Sequence, residues 1–103
     1  MGCAGNNSTK LPENTDDKAI LERAEQLYNR KKYQRTLELL DKIRYTASVY
    51  ADDAHLLAAK VYIAQKQYDM ATSELKWLLG QYPQSKLCEE ASFLLCYCYR
   101  RIP

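Results

Sequence analysis

Four cysteines, Cys3, Cys88, Cys96 and Cys98, and one histidine, His55, are the residues of this chain best suited to metal, disulfide or nucleophile chemistry. Cys96 and Cys98 stand two apart in LLCYCY. A helix points residues at that spacing to different sides, so the pair cannot jointly grip a metal. No CxxC and no second histidine accompanies them. They read as small hydrophobes on a packed helix, with a disulfide or a metal site as the alternatives. His55 has Asp52 and Asp53 nearby, but no nucleophile pairs with it, and it reads as a partly exposed helix histidine. There is no Gly-rich phosphate loop and no HExxH. Glu22 with Glu25, and Lys31 with Lys32, look like solvated helix faces. These residues predict no catalytic site, no metal and no cofactor.

Cys3 is a different case, because MGCAGNNSTKLPENT gives it nothing to pack against. Residues 1–17 are polar, and their apolar surface is too small to offset the entropy of ordering them. They read as a flexible tether in front of a folding part over residues 18–103. Gly2-Cys3 fits the end of a lipobox, which would make Cys3 the site of lipidation. Two other readings stand beside it. Met-Gly-Cys also opens myristoylated chains, although that motif wants Ser or Thr where Asn6 stands. The third is an incidental thiol.

The elements that must position any site are helical. Residues 18–103 are rich in Leu, Ala, Tyr, Lys, Glu and Gln, with Gly80 the sole glycine. The 103-residue chain carries a net charge of +2 with both signs interspersed, which gives no electrostatic case for nucleic acid. No apolar run approaches the ~18 residues a membrane span needs.

Setting Tyr33 over Tyr68 aligns AILERAEQLYNRKKYQRTLELLDKIR with AHLLAAKVYIAQKQYDMATSELKWLL at a period of 35. A third start follows, where AHLLAAKVY is echoed 37 residues on by ASFLLCYCY. A period near 34 marks stacked helical hairpins. Small residues fall where paired helices must approach: Ala24 and Ala59, Thr36 and Ala71, with Cys96 in the third copy. Leu37, Leu40 and Ile43 form an apolar stripe, as do Leu75, Leu78 and Leu79. Pro83 stops one helix, and Ser48 and Ser85 are candidate N-caps. The expected helices are 17–31, 34–46, 50–65, 68–80 and 85–100.

This pattern is similar to the tetratricopeptide repeat, most closely at Ala59, Tyr62, Tyr68, Ala71, Leu75, Leu78 and Pro83. The resemblance implies an all-α, right-handed α-solenoid of about two and a half repeats: 18–48, 49–83 and the first helix of a third over 84–103. The passage YPQSKLCEEASFLLCYCYRRIP, the first hairpin LYNRKKYQRTLELLDKI and the Cys3 tail together resemble bacterial outer-membrane assembly lipoproteins of the BamD type. That resemblance implies a lipid-anchored protein at the periplasmic face of the outer membrane, touching the membrane through its N-terminal lipid alone. It also implies partners that are unfolded outer-membrane proteins, held as extended peptides, or other subunits of the assembly complex. A subunit-joining scaffold, a periplasmic coordinator of cell division and a cytosolic tetratricopeptide adaptor share much of the pattern.

Repeat register assigns a concave groove to Leu21, Tyr28, Leu56, Lys60, Ile63, Phe93 and Tyr97, with Glu25, Asn29 and Arg100 beside them. An aromatic-lined groove suits an extended peptide with aromatic or apolar anchors. The last helix reads as apolar on nearly every side. It is expected to be covered by further chain after Pro103 or by self-association.

Overall fold

The computed structural model describes residues 13–103. Cys3 and residues 1–12 of the expected tether lie outside this range. Among the described residues the chain is all-helical: α1 (Glu13–Asn29), α2 (Tyr33–Leu40), α3 (Ala51–Ala64), α4 (Tyr68–Gln81) and α5 (Cys88–Tyr99). They form a slab with extents of 54 × 29 × 16 Å. Each helix packs on the next in sequence, and α1 also touches α3.

The turns that close α1 onto α2 and α3 onto α4 are the same turn. Lys31 and Lys66 both hold positive φ, 62° and 61°. The amide of the following residue donates five residues back, Lys32 to Leu27 and Gln67 to Tyr62, each at 2.8 Å. The lysine amides donate to Tyr28 and Ile63, each at 2.9 Å. This is a Schellman-type ending, in which a left-handed residue lets orphan carbonyls find donors. Tyr33 and Tyr68 then open the second helix of each pair.

The core is built from small and large residues in alternation. Ala24, Ala54, Ala58, Ala59, Ala71 and Ala91 are fully buried and let backbones approach, while Leu40, Ile43, Leu75 and Leu78 fill the space between them. Thr36 takes a small position as expected, and its hydroxyl donates to the Lys32 carbonyl at 2.8 Å, so burial leaves it satisfied.

Four details differ from the sequence reading. The first helix begins at Glu13 and so takes in residues 13–17 of the expected tether; Asp16 and Asp17 near its start favour a helix N-terminus. Helix α2 ends at Leu40, six residues short, and tightens into turns in which Lys42 and Ile43 donate three residues back. The Thr46 hydroxyl takes up the Ile43 carbonyl at 2.8 Å, replacing the next helical donor. Ser48 and Ser85 each cap a short turn ahead of the helix. Their hydroxyls accept from Tyr50 and Leu87, both at 3.0 Å, and α3 and α5 begin later, at Ala51 and Cys88. Finally, Cys96 is exposed and Cys98 is buried in its stead. Helix α3 is packed between neighbours on two sides, but α5 is packed by α4, so the residues it buries are Ala91 and Cys98.

Candidate functional site

The expected groove runs along α1, α3 and α5. Helix α1 touches α3, and Lys60 on α3 reaches Glu90 on α5 at 2.9 Å, so the three are neighbours on one side of the slab. Phe93 is 70% exposed, the highest value among the described large hydrophobics. Tyr28, Ile63 and Tyr97 are half-buried. Tyr28 packs against Tyr33 with ring centroids 5.9 Å apart, and Tyr97 meets Tyr68 at 6.5 Å.

Two of the assigned residues do not line an open surface. Leu21 and Leu56 are buried in the core, since the small residues Ala24 and Ala59 let their helices close over them. Lys60 is engaged by Glu90, and a partly exposed pair of this kind contributes about 0–1 kcal/mol. The open part of the face is therefore Tyr28, Ile63, Phe93 and Tyr97.

A buried polar cluster was missed. His55 is fully buried, not partly exposed. Its Nδ1 donates to Glu74 Oε1 at 2.8 Å, and Arg44 Nη1 donates to Glu74 Oε2, also at 2.8 Å. Arg44 further pairs with Asp41. One carboxylate thus joins the turn after α2, helix α3 and helix α4. Burial works against the Arg44 charge, but Glu74, with Tyr62 and Asp41, outweighs it and raises its pKa. Tyr45 and Trp77 cover the cluster, with the Tyr45 ring 5.1 Å from His55 and 5.6 Å from Trp77. Burial, then the Glu74 charge, raises the Tyr45 hydroxyl. His55 Nε2 and Arg44 Nε find no hydrogen-bond partner among the described residues.

The sequence carried one signal for this cluster. Glu74 falls in the stripe Ala71, Glu74, Leu75, Leu78, at i, i+3, i+4 and i+7, where a carboxylate needs a buried partner. The cluster holds three elements together. A second bond of the same kind joins the next pair: the Ser85 hydroxyl donates to Asp52 Oδ2 at 2.6 Å.

Among the described residues, no three His, Cys, Asp or Glu side chains come together as metal ligands would. Burial pushes the Cys98 thiol up, away from reactive thiolate. Among the described residues, no helix is long and apolar enough to cross a membrane. No protein-family model matches this chain, and no curated protein matches it significantly.

Proposed function

We propose that this chain is a non-enzymatic, protein-binding scaffold of tetratricopeptide-type helical hairpins. In this reading it serves outer-membrane β-barrel assembly from the periplasmic face, anchored through Cys3. The observation that carries the scaffold is the turn repeated 35 residues apart, at Lys31 and Lys66, with the same backbone bonds in both copies. Such pairs stack in one direction and set their first helices side by side. The anchor and compartment rest on the resemblance of the Cys3 tail and the YPQSKLCEEASFLLCYCY passage to assembly lipoproteins.

The binding face is α1, α3 and α5, with Phe93 as the leading anchor. Covering a phenyl ring this exposed contributes about 1.5–3 kcal/mol, whereas Tyr97 has already spent part of its surface on Tyr68. The client is an extended peptide with an aromatic residue at its end. Titration of such a peptide by calorimetry tests this. Phe93→Ala should weaken binding by about tenfold or more, with Tyr28→Ala and Tyr97→Ala weaker in effect and helicity unchanged. Unchanged affinity in all three variants would remove this face from recognition.

A second reading, a subunit-joining scaffold, is favoured by α5 itself. Phe93, Cys96 and Tyr99 are exposed on a helix that buries Ala91 and Cys98. Sedimentation of the 103-residue chain separates the two readings: self-association lost in Phe93→Ala favours joining through this helix.

A further inference from the structure

The face just described contains a cation, Lys60, but Glu90 neutralises it at 2.9 Å. Two further cations lie at the far end of α5. Arg100 and Arg101 are exposed, and neither makes an ion pair among the described residues. Arg101 is held in place. Its guanidinium lies 3.6 Å from the centroid of the Tyr97 ring, and its Nη1 donates to the Tyr97 carbonyl at 3.2 Å. A guanidinium has five N–H donors, so one held over a ring and bonded through Nη1 still has donors for a carboxylate and loses little side-chain entropy on binding one.

Arg101 also divides two clefts. One, of about 590 Å³, is lined by Lys66, Tyr68, Asp69, Met70, Arg101 and Ile102. The other, of about 370 Å³, is lined by Phe93, Cys96, Tyr97, Arg100 and Arg101. Each offers an exposed apolar side chain, Met70 at 49% and Phe93 at 70%. Among the lining side chains, three cations, Lys66, Arg100 and Arg101, stand against one carboxylate, Asp69. A central fixed cation between two apolar clefts is complementary to a carboxylate between two apolar side chains. In an extended peptide, residues two apart share a face.

We propose that Arg101 and its two flanking clefts bind an extended acidic peptide segment of pattern apolar-x-acid-x-apolar. Its internal carboxylate sits on the Arg101 guanidinium, and its apolar side chains sit by Met70 and Phe93. This rests on the protein-binding reading but gives it a different chemistry, an internal Asp or Glu with no requirement for a chain end.

The test uses the full chain and the peptide Phe-Ser-Asp-Ser-Leu, acetylated and amidated so that its only charge is the aspartate. Its partner peptide carries Asn in place of Asp. Affinities are read by fluorescence anisotropy. The Asp peptide should bind about tenfold more tightly than the Asn peptide, the scale of one charge-assisted pair. Arg101→Gln should remove that tenfold difference, so that the two peptides bind with equal affinity whatever that affinity is. Circular dichroism reports whether this variant folds; if it does not, the comparison of the two peptides on the unaltered chain decides. Equal binding of the two peptides overturns the proposal and leaves the scaffold reading standing. Binding of neither, with a dimer that Phe93→Ala dissolves, also overturns it and gives the surface to a second copy. The aromatic-ended peptide tests the scaffold reading separately.

Discussion

Lys31 and Lys66 occupy the same place in two successive helical turns, both in the left-handed region at φ 62° and 61°. Side chains with a Cβ are strained there, and glycine is not. Lys31→Gly and Lys66→Gly should each raise stability by about 0.5–1 kcal/mol, the left-handed strain less glycine's extra unfolded-state entropy, read from urea denaturation. The two gains should add, because the turns share no partner. A loss in either variant would mean that the lysine stem holds the turn through packing.

The Glu74 carboxylate should be the costliest polar group to remove. Glu74→Gln leaves Arg44 buried without its main counter-charge, with Asp41 remaining. A loss of about 3 kcal/mol is expected. Replacing both members, Arg44→Met with Glu74→Leu, should cost much less, because no charge is then stranded. Chemical denaturation of the two variants provides the comparison. Equal losses would show that the ion pair itself, not stranding, sets the penalty.

Ala71 is fully buried where α4 meets its neighbours, whereas Ala64 is exposed at the end of α3. Ala71→Leu should cost about 1–3 kcal/mol through overpacking, and Ala64→Leu should be nearly neutral. Melting temperatures of the pair check this. Equal tolerance would contradict the packing between α4 and the rest of the slab.

Asp53 gives a pH dependence of defined sign. Burial, and then the charge of Asp52, push its carboxyl above the ordinary range. The folded state therefore binds this proton more tightly than the unfolded chain does. Its contribution to stability is present below about pH 4 and is lost as pH rises through the folded value. Asp53→Asn should thus compare more favourably with the parent at about pH 7 than at about pH 3. Denaturation curves at both pH values measure the difference. A variant that gains more in acid would reverse the sign and overturn the assignment.

What could be read ahead of the structure was what repeats locally. Tyr33 and Tyr68 marked the helix pairs, and Pro83 marked the end of α4, because turn chemistry and apolar spacing act over a few residues. The left-handed turn residues were hidden, since lysine rather than glycine holds them. The His55–Glu74–Arg44 cluster was hidden for another reason. It joins residues 19 and 30 apart in sequence, and a lone histidine with no local partner gave no sign of burial. Groove register alone carried no information about exposure. Leu21 and Leu56 sit on the correct helices, yet the small residues that bring those helices together also close over them.

Mapping a bound aromatic-ended peptide onto the chain by nitrogen–proton correlation spectroscopy tests the central claim most directly. The account predicts amide shifts concentrated at Tyr28, Ile63, Phe93 and Tyr97, on α1, α3 and α5, with little change around Tyr45 and Trp77. Shifts centred on Tyr45 and Trp77, or none at saturating peptide, would contradict the claim that this face holds a partner polypeptide.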